Sequence, residues 1–171
     1  MRARPISCCF TGHRPGKLPW HYNEADPRCL TLKRRIADAV EAAYLEGYRH
    51  FLCGMALGCD LYFCEAVLAL RETHPDVTVE AALPCPTQAD GWPPAQRARY
   101  QRLVKACDFE TMVSHTYTSY CMQRRDRYMV DHASLLIAAF DGTSGGTRYT
   151  MEYAMSRRVS IVDLPILIEE P

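Results

Sequence analysis

Short apolar runs alternate with stretches of helical periodicity along nearly the whole chain, and this alternation limits the possible folds more than any other property of the sequence. Ile6-Ser7-Cys8-Cys9-Phe10-Thr11 reads as a strand stopped at Gly12. Residues 13–28 carry Pro15, Gly16, Pro19, Asn23, Asp26 and Pro27, which break any periodicity. A helix is expected over about 29–46, where Leu32, Ile36, Val40, Ala43 and Tyr44 recur three and four apart. Gly47 follows as its left-handed terminator. Further strands are read at 49–53, 77–83, 111–114, 135–140 and 159–163, with helices at about 58–73, 94–106, 120–133 and 146–157. Leu135 to Phe140 is apolar throughout, as a strand covered on both faces must be. Parallel neighbours need crossover helices, and the spacing supplies them. The expected fold is α/β: a single Rossmann-like domain over 1–171, a mostly parallel sheet with helices on both faces in a three-layer sandwich.

Composition removes several classes of function. Twenty basic residues balance twenty acidic ones, so the protein has no overall polybasic coat and a nucleic-acid partner is disfavoured. No apolar run reaches the ~18–20 residues of a membrane span. The amino terminus has basic residues but no secretory core after them. Nine cysteines without CxxC or zinc-finger spacing, in apolar surroundings, read as free thiols of a cytoplasmic protein. The six histidines show no metal spacing, and no Walker A, GxGxxG or GxSxG pattern occurs. No metal and no obligatory cofactor is expected.

In open parallel sheets, ligands bind outside the carboxyl ends of the strands. Three segments fall there: Thr11-Gly12-His13-Arg14-Pro15, Gly54-Met55-Ala56-Leu57-Gly58-Cys59-Asp60, and Asp141-Gly142-Thr143-Ser144-Gly145-Gly146-Thr147. The second and third run from a strand through glycines into a helix, where unpaired N–H groups and the helix dipole favour a phosphate. Glycine lets an anion approach the backbone without meeting a Cβ. Ser144 and Thr147 bring hydroxyl donors, and Arg14 suits a bidentate grip on phosphate. The candidate ligand-binding set from these segments is Gly12, His13, Arg14, Gly54, Met55, Ala56, Gly58, Asp60, Asp141, Gly142, Ser144, Gly145, Gly146 and Thr147. Asp60 has two readings, a helix cap or an acceptor for a ligand hydroxyl such as a ribose. Glu152 is either an outward face residue or a carboxylate turned to the site. Asp141 either meets the ligand or holds its loop. Arg124, Arg125 and Arg127 read as a solvated helix face, with the alternative that one or two of them reach a phosphate.

These segments, together with Arg127-Tyr128-Met129-Val130-Asp131 and Gly145-Gly146-Thr147-Arg148-Tyr149-Thr150, resemble the SLOG superfamily of Rossmann-like domains. That group includes the DNA-processing protein DprA/Smf and the LOG phosphoribohydrolases. The similarity extends over nearly the whole chain and is greatest to the YpsA-like branch. It implies a nucleotide or nucleotide-derived ligand, ADP-ribose- or NAD-like or a nucleoside monophosphate, held by a sensor or regulatory protein, and it adds Arg127 to the ligand-binding set. LOG enzymes carry GGxGTxxE. Gly145, Gly146 and Glu152 keep its register, while Arg148 and Tyr149 stand in place of its third Gly and its Thr. The alternative is therefore an N-glycosidic hydrolase of nucleoside 5′-monophosphates with Glu152 as the catalytic carboxylate, and a third reading is single-stranded DNA binding as in DprA. Analogy with such sheet families also suggests a homo-oligomer.

Overall fold

Leu135–Phe140 is apolar at every position because it lies in the middle of a sheet covered on both faces. The computed structural model describes residues 6–167. In chain order its elements are β1 (Ser7–Gly12), a single 3-10 turn (Pro15–Lys17), α1 (Pro27–Leu45), β2 (His50–Cys53), α2 (Cys59–Thr73), β3 (Thr78–Leu83), α3 (Pro94–Ala106), β4 (Phe109–Met112), α4 (Cys121–Asp131), β5 (Leu135–Phe140), α5 (Gly146–Ser156) and β6 (Ser160–Pro165). The six strands pair in the order β4-β3-β2-β1-β5-β6. Every pairing is parallel. This is the expected Rossmann-like α/β fold.

Alternate residues of the strands feed two cores. Cys8, Phe10, Phe51, Cys53, Val79, Ala81 and Ile137 belong to the core shared with α1, α2 and α3. Cys9, Leu52, Ala82 and Leu136 belong to the other, with Met129 and Val130 of α4 and Ala154 of α5. Phe10 stacks on Phe63 with ring centroids 4.7 Å apart. All nine cysteines are free thiols, eight of them buried. No helix among the described residues is long and apolar enough to cross a membrane.

Several boundaries shift by one or two residues from the sequence reading, and two of the shifts have a clear cause. Helix α1 starts at Pro27 rather than 29, because Asp26 caps it by accepting from the Arg28 N–H at 2.8 Å and Pro27 fills the first helical position. Asp-Pro acts there as a start signal, not as a breaker. Strand β4 runs from Phe109 to Met112 rather than from 111 to 114. It is an edge strand, and Phe109 and Glu110 are exposed, so its charged residue reads like a loop. Gly47 has φ +107°, and the next N–H, of Tyr48, reaches back to the Ala43 carbonyl at 3.1 Å, so the end of α1 is as expected.

Gly12, the last residue of β1, lets α2 lie directly against the strand. A Cβ at Gly12 would stand 2.5 Å from the Cys59 Cβ and 3.0 Å from the Phe10 ring. Gly12→Ala is expected to lower stability by about 1–3 kcal/mol, read as a lower urea midpoint at unchanged slope. Gly91→Ala, whose methyl meets nothing within 4 Å, should stay within about 0.5 kcal/mol of the parent.

Candidate functional site

Strand order reverses at β1: its neighbours β2 and β5 continue to opposite edges of the sheet. The loops after β1 and β5 therefore part, and a crevice opens at the carboxyl ends of the strands. A cavity of about 270 Å3 fills it. Three walls enclose it: the end of β1 and the turn after it (Phe10 to Arg14, Gly16, Lys17), the starts of α2 and α5 (Ala56, Asp60, Gly145, Gly146, Thr147), and one face of α4 (Met122, Arg125, Asp126).

The two glycine turns behave differently. At α5, Gly145 has φ +142° and precedes the first helical residue, Gly146, where a Cβ would meet nothing within 4 Å. The helix start is thus open to the cavity. Lys17 closes its outer side, donating from Nζ to the Ser144 carbonyl and, at 3.2 Å, to the Thr143 hydroxyl. At α2 the amides are largely engaged by protein. Cys59 N–H donates to the His13 carbonyl at 3.2 Å, and Ala56 N–H donates to Asp60 Oδ2 at 3.0 Å. Gly58 has φ +88°, and a Cβ there would lie 2.7 Å from the His13 carbonyl oxygen. Gly58 therefore seats the β1 loop on α2. Gly54 makes room for a side chain, since a Cβ there would come within 2.7–2.9 Å of the Arg125 guanidinium. Met55 between them is fully buried at φ +58°, a conformation costly for a side-chain-bearing residue.

Of the sequence-derived candidates, Gly12, His13, Arg14, Ala56, Asp60, Gly145, Gly146 and Thr147 line one cavity. Gly54, Met55, Gly58, Gly142 and Ser144 do not; they shape the turns around it. Asp141 holds its loop: Oδ1 accepts from the Thr143 N–H at 2.9 Å, from its hydroxyl at 2.6 Å and from His13 Nε2 at 2.7 Å. Burial opposes the Asp141 charge, but these donors hold its carboxyl down at about 2. Arg127 is exposed and bonds the Tyr149 hydroxyl, so it lies outside the crevice. Glu152 is also outside, exposed and paired with Arg148 at 3.1 Å. Its place one turn beyond Arg148 puts it on the outward face of α5, away from the buried Thr147–Thr150–Ala154 stripe.

The sequence reading left Lys17, Met122, Arg125 and Asp126 out of the set. For Arg125 a signal exists: Cys121, Arg125 and Met129 are four apart and all buried, so this arginine shares the inner stripe of α4. It is 4% exposed, donates to the Gly54 carbonyl, and bonds Asp126 Oδ1 from Nε at 2.6 Å. Asp60, 6% exposed, lines the cavity with Oδ1 free of any partner among the described residues. Burial pushes its carboxyl up to about 6 even though Arg125 and the Ala56 N–H pull the other way.

Residues 8–165 match the family model described as the YspA SLOG family, YpsA. The UPF0398 protein YpsA of Bacillus subtilis is 24% identical, with 94% of this chain and 96% of that protein aligned. The SPbeta prophage-derived protein YoqJ of the same organism is 28% identical, over 75% of this chain and 83% of that protein. Among solved structures, DNA processing protein A (DprA) of Streptococcus pneumoniae superposes with TM-score 0.64 at 14% identity, covering 98% of this chain and 52% of that one. This chain thus spans about half of the pneumococcal protein. DprA of Helicobacter pylori matches with the same TM-score at 15% identity, and covers 98% of this chain and 68% of that one; its structure is described as showing a single-stranded DNA binding mode. The likeness is one of fold, and it gives no support to setting nucleic acid aside.

Asp60 makes stability depend on pH. The folded carboxyl keeps its proton up to about 6, whereas its ordinary value is 3.8. The folded state thus binds the proton more tightly, and stability attributable to Asp60 falls as pH rises from about 4 to 6, by roughly 3 kcal/mol at most. Asp60→Asn, which can still accept from the Ala56 N–H, is expected to be more stable than the parent at about pH 8 and to show no such gain at about pH 4, measured by urea titration at both.

Proposed function

Because the chain belongs to the YpsA family of SLOG proteins, we propose that its crevice binds a small phosphate-bearing ligand of the nucleotide type. The observation that carries this reading is the polarity of the crevice. Its lining brings together the open start of α5, the cations Lys17 and Arg14, and the Asp60 carboxylate with a free oxygen. Backbone N–H groups and cations suit a phosphate, and a carboxylate accepting in a buried site suits a hydroxyl or amino donor. A nucleoside 5′-phosphate carries both. At about 270 Å3 the cavity lies just below the ~300–1,000 Å3 of most small-molecule sites. That size favours a mononucleotide over a whole NAD- or ADP-ribose-sized ligand. A sensor or regulator needs no more than this selective occupancy.

Thermal-shift and calorimetric titration with nucleoside monophosphates tests the reading. A ligand at a hundred times its Kd stabilises by about 2.7 kcal/mol. Gly146→Asp separates binding from folding. It adds a carboxylate at the first position of α5, where open space receives it and the helix dipole welcomes it. The unliganded variant should melt at or slightly above the parent temperature and lose the ligand-induced shift. No shift with any monophosphate in the parent would sink the proposal. So would single-stranded oligonucleotide binding, steeply salt-dependent, that Gly146→Asp leaves intact.

One observation favours a second reading. If the crevice cleaves N-glycosidic bonds, its carboxylate is Asp60, buried at the wall and poised near neutrality, and not Glu152. Release of free base from a nucleoside monophosphate, followed by chromatography, should then vanish in Asp60→Asn and survive in Glu152→Gln. The reverse pattern would restore Glu152.

A further inference from the structure

His13 is 3% exposed and lies between a carboxylate and a hydroxyl. Nε2 is 2.7 Å from Asp141 Oδ1, and Nδ1 is 3.4 Å from Thr147 Oγ1. Nε2 also lies 3.3 Å from the Asp141 N–H. The carboxylate decides which role this nitrogen takes: it is closer, and two contacts from Thr143 together with His13 keep it ionised, so Nε2 carries a proton and donates to it. In neutral His13 the bare Nδ1 then accepts from Thr147, whose hydroxyl has one proton to give. Thr147, 6% exposed, lines the cavity in the first turn of α5. With its proton committed to His13, it turns lone pairs towards the place where the proposed phosphate would rest.

An anion there needs the opposite arrangement. If His13 binds a second proton, Nδ1–H donates to Thr147, and Thr147 is released to donate to the anion. The charges facing this end of the cavity are Arg14 and Lys17 from the β1 turn, Asp60 from α2, and Arg125 with Asp126 from α4. Among the described residues, the charge paired with His13 is Asp141, with the Phe140 ring 5.9 Å away. Building on the nucleotide-type reading, we propose that the seat at α5 selects a doubly charged terminal phosphate, a monoester rather than an internal diester, and that His13 takes up a proton as that group binds. Thr147 is the switchable donor through which His13 acts. The free Asp60 oxygen in the same cavity is left to accept from a hydroxyl or amino group of the ligand.

Inorganic sulfate is the probe, since it stays a dianion across the histidine range of about pH 5–8. Titration calorimetry of the full chain in two buffers of different ionisation enthalpy counts the protons. Near the alkaline end of that range, uptake approaching one proton per sulfate is expected, with affinity falling about tenfold per pH unit. Methyl sulfate, singly charged, should bind at least about tenfold more weakly. Thr147→Ser should keep the uptake and Thr147→Val should lose it. Asp60 titrates in the same cavity, so uptake that disappears in Asp60→Asn assigns the proton to Asp60 and overturns the inference. Sulfate binding without proton uptake, or uptake that survives Thr147→Val, overturns this inference and leaves the phosphate seat standing. If neither sulfate nor any nucleoside monophosphate binds, the seat itself falls, and the inference with it.

Discussion

The crevice depends on one close approach, the β1 turn lying on the start of α2. Gly12 and Gly58 each remove a Cβ that would otherwise stand within 2.7 Å of the opposing element, and the Cys59 N–H fastens the contact to the His13 carbonyl. With the backbone pinned there, the side chains of His13 and Lys17 extend towards the β5–α5 loop, while Arg14 reaches Met122 of α4. His13 and Lys17 then make the bonds to Asp141, Thr147 and Ser144 that bring the two halves of the sheet's carboxyl edge together. The turn is also braced from outside. Glu24, in the same loop, pairs with Arg99 of α3 at 2.6 Å and with Lys33 of α1 at 2.7 Å, and Arg99 also bonds Glu65 of α2. Burial disfavours the Glu24 charge, but Arg99 and Lys33 outweigh it and hold its carboxyl below the usual range.

What this scaffold encloses is electrically uneven. The α5 end gathers exposed amides and the cationic rim. The start of α2 places a carboxylate in the wall, where its charge is disfavoured by burial and only partly supported by Arg125. A fold selected for stability alone has little reason to keep such a carboxylate, and perturbed acids of this kind gather at working sites.

Much of the architecture was legible from pattern alone, because strand burial and helix periodicity are written in apolar spacing. The six strands, their connections and the ligand face follow from Leu135–Phe140, from the stripe Leu32–Ile36–Val40 and from glycines at strand ends. The finer roles of those glycines were not legible. Gly54 and Gly145 look alike in sequence, yet one yields space to Arg125 and the other exposes a helix start, a difference set by which distant side chain arrives. Arg125 and Arg127 are two residues apart and face opposite ways, so composition could not separate them, whereas the four-residue spacing from Cys121 to Met129 does. Lys17 was hidden in an irregular stretch, where no period exists to say which side a residue takes. Glu152 kept the register of a family motif, but register along a helix does not fix the direction of a side chain when the neighbouring Arg148 draws it outward.

The walls of the crevice differ in what they are made of. Towards β1, α2 and α5 the lining includes the glycines Gly12, Gly16, Gly145 and Gly146, and the β1 turn is seated by close contacts at Gly12 and Gly58. Towards α4 it is side chain: Met122, Arg125 and Asp126. Exchanges on α4 can reshape the crevice without touching the glycine contacts that seat the β1 turn on α2. That helix is therefore where the hollow can change shape while its frame stays in place.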